Sequence, residues 1–346
     1  MSLKTNRVHP YRGKLGHCLS SMNAVLIKHN KMHSSKTKEV GHATQRTRDQ
    51  VLTQCFVKLH NSGYQLLDVK QFGMRHVKFL IDSWLTEELS ASTIQLRLSV
   101  LRTFAGWINK NGMIPSTELL VPKNIAVRNY ATKVDKSWSG QGVDFAEVIK
   151  RVEVADPFVA IQLRMQMTFA LRSQESWLIR PALADCQTHL AVRWGTKGGR
   201  DRVVAIDTPE KRDLINHAKV WANKTSGSLI PSGYTLKTWR RHYYYVATKC
   251  GLTRAKGIVP HGLRHQAANE LYEQITGVPS PVRQGEKFLK PENDEYARQV
   301  VAETTGHSRT QITSAYLGGR RTSKSQFEND NTSIIKPIAI QSFYGY

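Results

Sequence analysis

The sequence predicts a mainly α protein with one small β-sheet, an α+β fold in two domains. Three observations carry this. Apolar residues recur at helical spacing between Thr44 and Ile108, and again from Val159 onward. Strand-like alternation is clear at only one place, around Leu190 and Val204. Between the two helical regions lies a stretch, Pro115 to Asp135, with prolines and basic residues and no sustained period. Helices repeat their buried face every three to four residues and strands every two, so spacing separates the two.

Residues 1–38 carry eight Lys or Arg (Lys4, Arg7, Arg12, Lys14, Lys28, Lys31, Lys36, Lys38) and no acid, which reads as a basic N-terminal arm able to follow a phosphate backbone. Val51, Leu52, Cys55, Phe56 and Leu59 then share a helical face, as do Val77, Leu80, Ile81 and Trp84. Ser90 to Thr93 supplies an N-cap for a helix from Ile94 through Leu101 and Phe104 to Ile108, ending near Asn111-Gly112. These elements make a helical domain over 39–120. A linker follows over 121–140.

A second domain is expected over 141–320, with a tail over 321–346. Val159 to Phe169 has a helical pattern. Leu190, Val192 and Trp194 alternate as a strand, Thr196 to Asp201 turns, and Val203 to Ile206 returns as a second strand. Leu236 to Cys250 and Leu263 to Ile275 read as helices, the second stopped by Gly277. Val278 to Glu295, rich in Pro, Gly and charge, reads as an extra loop. Ile334, Ile335, Ile338, Ile340 and Phe343 give the tail enough apolar content to dock on a neighbouring protomer or on its own domain.

The 346 residues include 50 Lys or Arg against 27 acids, a formal charge of +23. Such an excess repels the compact state unless a polyanion offsets it, so nucleic acid is the leading partner. No run reaches the roughly 18 apolar residues of a membrane span, and no secretion signal is evident, which points to a cytoplasmic protein without a membrane partner. Cys18, Cys55, Cys186 and Cys250 stand apart from one another, as small buried residues rather than metal ligands. His261 and His265 are four apart on a helix, but Gly262 stands where a zinc-protease motif has glutamate, so neither a metal nor a cofactor is expected.

Six residues could carry chemistry. Arg172 and Arg264 lie in apolar helical surroundings, where a guanidinium needs an anion; Glu175 offers an internal ion pair to Arg172, and a phosphate held by both forks is the functional alternative. His261 falls within one helical turn of Arg264. Lys197 sits at the hairpin turn, either solvated or reaching a nucleic-acid groove to donate a proton. His307 follows Gly306, and Tyr316 comes nine residues later. A free phenol titrates near a pKa of about 10, so a nucleophilic tyrosine needs cations or a base beside it.

Taken in order, Leu171-Arg172-Ser173-Gln174-Glu175, Thr196-Lys197-Gly198-Gly199-Arg200-Asp201-Arg202, His261-Gly262-Leu263-Arg264-His265 and Gly306-His307-Ser308 with Tyr316 resemble the tyrosine recombinases, the integrase family of phages and mobile elements. The resemblance covers 140–320, and 40–115 is similar to that family's SAM-like core-binding domain. Two departures stand out: Ala170 occupies a place where the family has glycine, and the interval from Arg264 to His307 is longer than usual.

The resemblance implies two domains forming a clamp around double-stranded DNA, and site-specific recombination or integration through a 3′-phosphotyrosyl intermediate. Tyr316 would be the nucleophile. Arg172, Arg264 and His307 would stabilise the phosphate, His261 would act as base or donor, and Lys197 would protonate the leaving oxygen. It also implies a homo-tetramer in the synaptic complex, accessory DNA-bending proteins as further partners, and a bacterial, phage or plasmid setting near the nucleoid. A topoisomerase or telomere resolvase with the same tyrosine chemistry, and a non-cleaving DNA-binding protein on the same fold, are the alternatives.

Overall fold

The computed structural model describes residues 11–34, 37–127, 130–283 and 289–320. It divides into two compact units, 1–130 and 131–346. The expectations for the tail, and for Lys4, Arg7, Lys36 and Arg128, lie outside the described residues.

The first unit is helical: α1 (Gly13–His29), α2 (His42–Asn61), α3 (Met74–Thr86), α4 (Ala91–Trp107) and the short α5 (Lys123–Ala126). Its core centres on Phe56, Phe72 and Phe104, whose rings meet edge to face at centroid separations of 5.6, 5.6 and 6.3 Å. Ser90 caps α4 by accepting from the Thr93 amide, as the sequence predicts.

Two expectations change here. The stretch read as a basic arm is in large part α1, which buries Leu15, Cys18, Leu19, Met22 and Leu26 in the common core. Those residues repeat at spacings of three and four, and the apolar stripe outweighs the surrounding charge because Lys14 and Lys28 can stay in water while their helix packs. The connector is likewise partly built in. The Gln95 side-chain amide donates to the Ile125 and Ala126 carbonyls at 2.5 and 2.9 Å, closing α5 onto α4.

The second unit is built around α7 (Pro157–Thr168), preceded by α6 (Phe145–Ala155). Asp156 caps α7 through the Val159 amide, and Pro157 occupies its first turn, where a missing N–H costs nothing. α7 is buried on nearly every side, polar residues included. Gln162 donates to the Leu229 carbonyl at 2.6 Å and accepts from the Trp239 indole at 3.1 Å; Gln166 donates to the Tyr243 hydroxyl at 2.7 Å. Buried amides of this kind are tolerated because their polar groups are matched.

Short helices α8 (Ser173–Leu178) and α9 (Pro181–Ala184) lead into the hairpin. β1 (His189–Val192) and β2 (Arg202–Ala205) pair antiparallel, with His189 opposite Ala205 and Val192 opposite Arg202. The helices α10 (Pro209–Trp221), α11 (Leu236–Lys249), α12 (Pro260–Thr276), α13 (Pro291–Thr304) and α14 (Ser314–Leu317) complete the unit. Trp138, also read as linker, is fully buried in this core and donates to the Val259 carbonyl at 2.8 Å, fixing the approach to α12.

The loop expected over Val278 to Glu295 is shorter than its composition suggests. α13 already begins at Pro291, with Glu292 and Asp294 in its first turn, where acids complement the positive end of the helix dipole. Residues 284–288 lie outside the described residues.

The placement of α1 has a measurable consequence. Leu19 is fully buried, so Leu19→Ala should lower the unfolding free energy by about 2–5 kcal/mol in urea titration. An unchanged midpoint would return this stretch to the status of an unpacked arm.

Candidate active site

α7 ends at Thr168, and the chain turns through Ala170 into α8, which presents Arg172 at its N-terminal boundary. Ala170 holds a left-handed φ of +49°. That conformation favours glycine, which explains why glycine suits this place in proteins of the resembled pattern. The turn is retained here because the Ala170 carbonyl, aimed inward, accepts from Arg264 Nη1.

Glu175 lies fully buried under this turn and gathers the cations. It accepts from the Arg172 amide and from Arg172 Nη1, both at 2.7 Å, and from Arg202 Nη1 and Nη2 at 3.0 and 2.7 Å; Arg264 Nη1 stands 3.9 Å away. Burial alone would raise the Glu175 pKa, but Arg202 and then Arg172 outweigh it and hold the carboxyl down at about 2. The internal ion pair open to Arg172 is therefore formed, and it orients the guanidinium instead of removing it from the site.

α12 supplies Arg264 and His261 from one turn. Arg264 is fully buried, donating to the Ala170 and Thr305 carbonyls through its two terminal nitrogens and to the Tyr316 hydroxyl through Nε at 3.1 Å. Desolvation, with Arg172 and Arg202 nearby, lowers its pKa to about 10, which leaves it cationic at neutral pH.

The C-terminal end of α13 contributes backbone. The Thr304 carbonyl accepts from Arg202 Nε at 2.8 Å, and that of Thr305 accepts from Arg172 Nη2 at 3.3 Å as well as from Arg264. Carbonyls at a helix C-terminus carry partial negative charge and lack helical partners, so three guanidinium groups settle there.

Gly306, at φ +68°, then reverses the chain; a Cβ on it would come 3.1 Å from Arg202 Cδ. This delivers His307. Its Nε2 lies 3.2 Å from the Tyr316 hydroxyl.

Tyr316, on α14, is 6% exposed, with its oxygen between Arg264 and His307 of the same chain and its ring 5.7 Å from the Arg264 guanidinium carbon. The structure thus brings Arg172, Arg264, His307 and Tyr316 together. His261 faces the tyrosine ring at a centroid distance of 6.3 Å. Lys197 stands off, exposed on the hairpin, where its charge still acts on His307.

The local field is positive. His307 is lowered to about 4, first by desolvation and then by Arg264, Arg172, Lys197 and Arg202. His261 moves in the same direction for the same leading reasons, desolvation and then Arg264 and Arg172; its outer edge still meets solvent, which tempers the burial effect. His265, packed on Tyr316 at a centroid distance of 4.8 Å, is lowered to about 3 by desolvation and by His261. All three are neutral imidazoles at pH 7.

Three contributors were not picked out in the sequence. Arg202 and Thr305 look there like a hairpin cation and a helix-end residue. His265 reads there only as a candidate metal ligand. Among the described residues, no group of His, Cys, Asp or Glu is spaced to hold a metal ion.

A site of cations and neutral imidazoles around a tyrosine hydroxyl is suited to hold a phosphate diester and attack it. Comparison with known proteins gives the family of the two regions. Residues 128–270 match the family model described as Integrase, and residues 26–113 that described as Phage integrase, N-terminal.

Similar solved structures include a lambda integrase dimer bound to a COC′ core site, 13% identical over 89% of this chain and 80% of that one, with a TM-score of 0.55. A lambda integrase tetramer bound to a Holliday junction is 13% identical over 89% and 80%, with a TM-score of 0.54. The Tn1549 transposon integrase in complex with circular intermediate DNA is 13% identical over 87% and 96%, with a TM-score of 0.51. At such identities the likeness is one of fold. No curated protein matches the chain by sequence.

The lowered imidazoles set a pH dependence. An unfolded histidine takes a proton below about 6.5, whereas these remain neutral in the folded chain down to about 4 for His307 and about 3 for His265. Their contribution to stability is complete above the unfolded value and is lost as pH falls toward the folded values. Urea melts of the protein should show stability dropping between pH 6.5 and 4, with a shallower drop in His307→Gln. Equal slopes for the two proteins would mean that His307 is not held neutral.

Proposed function

We propose a strand-transfer mechanism for this chain, which belongs to the tyrosine recombinases, the phage integrase family of enzymes that cut and rejoin DNA. The observation that carries it is the Tyr316 hydroxyl, hydrogen-bonded by Arg264 Nε and facing His307 Nε2, beside Arg172. The substrate is double-stranded DNA, in line with the +23 charge and with an exposed face of α11 that interleaves Arg240 and Arg241 with Tyr244 and Tyr245.

The phosphate enters between Arg172 and Arg264. Tyr316 Oη attacks phosphorus, forming a Tyr–O–P bond, while the P–O5′ bond breaks and its electron pair leaves on O5′. The phenolic proton passes to a neutral imidazole, His261 or His307; the approach of His307 Nε2 to 3.2 Å from the hydroxyl supports the second, and the His261 ring lies 6.3 Å from the tyrosine ring. Lys197 protonates the leaving O5′. Arg172, Arg264 and His307 stabilise the added charge on the pentacoordinate phosphate, the kind of preorganised electrostatics that dominates such catalysis. A 5′-hydroxyl from the other strand reverses the steps and rejoins the DNA.

Neither a metal nor a nucleotide enters this scheme, since the phosphotyrosyl bond conserves the energy of the broken ester. Integration or excision of a mobile element is the setting we infer, with four protomers in the synapse and DNA-bending proteins as accessories. The protein would work in the cytoplasm at the nucleoid; no helix among the described residues is long and apolar enough to cross a membrane.

Because Tyr316 meets arginine and histidine of its own chain, we assign cleavage in cis. Tyr316→Phe should abolish the covalent protein–DNA band on a nicked suicide substrate while leaving the binding constant within about twofold of its original value, against the 10²–10³-fold rate loss typical of a lost donor, which is expected for Arg172→Ala. Mixing Tyr316→Phe with Arg172→Ala protomers on one synapse should restore no cleavage. Recovery in the mixture would mean that the tyrosine is delivered to a neighbour.

A further inference from the structure

Arg202 opens β2, five residues after Lys197, and its side chain is 5% exposed. It does not face the tyrosine. Its two terminal nitrogens bond the two oxygens of Glu175, and its Nε bonds the Thr304 carbonyl. One guanidinium thus joins the hairpin, the Arg172 turn and the end of α13 that leads to His307.

The other foot of the hairpin is pinned to the same turn. Gly195, at φ +76°, approaches α8 so closely that a Cβ there would lie 2.7 Å from the Gln174 carbonyl oxygen and 3.2 Å from Glu175 Cα. Between the two feet lie Lys197, Gly198 and Gly199, and the two glycines hold φ of +75° and +69°. Such a tip has little rigidity of its own, being short, exposed and rich in glycine. The place of the lysine relative to the phosphate is therefore set by the feet, and of the two only Arg202 is held by directional bonds to groups that also fix Arg172.

We propose that Arg202 is a positioning residue for Lys197, clamping the lysine hairpin to the Glu175 carboxylate and the end of α13, and so fixing the ammonium where the leaving oxygen departs. This rests on the reading of Lys197 as the proton donor. In that step the P–O5′ electron pair goes to O5′ and the Lys197 proton follows it. If sulfur replaces the bridging 5′-oxygen, the thiolate leaves without a proton, and the need for Lys197 disappears while the need for the phosphate arginines remains.

The test is single-turnover formation of the covalent complex on suicide DNA with bridging 5′-oxygen or 5′-sulfur, for the wild type, Lys197→Ala, Arg202→Ala and Arg202→Lys. General acid catalysis contributes about 10²–10⁴-fold, so Lys197→Ala and Arg202→Ala should each cut oxygen DNA at least about 10²-fold more slowly, and both should return to within about tenfold of the wild type on sulfur DNA. Arg202→Lys retains a cation beside Glu175 but cannot form the fork; a smaller loss, also relieved by sulfur, is expected of it even if the alanine variant folds poorly.

Equal slowing of both Arg202 variants on the two substrates would overturn the role of Arg202, as would full activity of both on oxygen DNA. Failure of Lys197→Ala to recover on sulfur would instead overturn Lys197 as the acid. Recovery of Lys197→Ala without recovery of either Arg202 variant would remove Arg202 alone and leave the lysine assignment standing.

Discussion

The buried carboxylate of Glu175 is the constraint on which the active site depends. A lone carboxylate in that position would face a desolvation cost of several kcal/mol; here two arginines bond it and a third stands 3.9 Å away. The exchange also runs the other way. Three guanidinium groups packed so closely would repel one another, and one central anion lowers that repulsion while leaving the cluster with a net positive charge. An excess of cation is what a phosphate diester requires, and it adds to desolvation, the larger cause, in lowering His307 and His261.

Backbone geometry completes the arrangement. The last carbonyls of α13 and the left-handed turn at Ala170 direct oxygens inward, and they take up the donors that Glu175 leaves over. Because Thr305, Gly306 and His307 are consecutive, the chain segment that neutralises the arginines also places the histidine against the phenol. A shift at the end of α13 would therefore reach Arg172, Arg264 and His307 together, which makes this helix end part of the geometry of the proposed site although it offers no reactive side chain.

Much of this could be read in the sequence where the signal is local. His261 and Arg264 share a turn, and a helical period fixes that. The hairpin follows from alternation about a glycine turn. The pair of Arg172 and Glu175 follows from a spacing of three. What could not be read depends on tertiary approach. Arg202 resembles a solvated hairpin cation until β2 is seen to lie against Glu175, and α1 is masked in the sequence by the charge that surrounds the stripe formed by Leu15, Leu19, Met22 and Leu26. The start of α13 was obscured in the same way, since Glu292 and Asp294 read as loop polarity when they are the first turn of a helix. Ala170 shows the converse. Its departure from the resembled pattern was visible, but only the φ of +49° gives it meaning.

The donors already in use indicate how the site would accept a phosphate. A guanidinium has five N–H groups. Arg264 commits three of them, to Ala170, Thr305 and Tyr316, and the Arg172 side chain commits two, to Glu175 and Thr305. These bonds leave two N–H groups on Arg264, whose side chain is fully buried, and three on Arg172, whose side chain is 21% exposed, so in the proposed scheme a phosphate meets Arg172 first. The bond from Arg264 Nε to Tyr316 is different, because it is made to the proposed nucleophile itself. It is made where Tyr316 is 6% exposed, with the Arg264 guanidinium carbon also 5.7 Å from the ring centroid. In the proposed scheme a guanidinium of the phosphate site is thus also bonded to the attacking hydroxyl, so binding and attack draw on one set of charges.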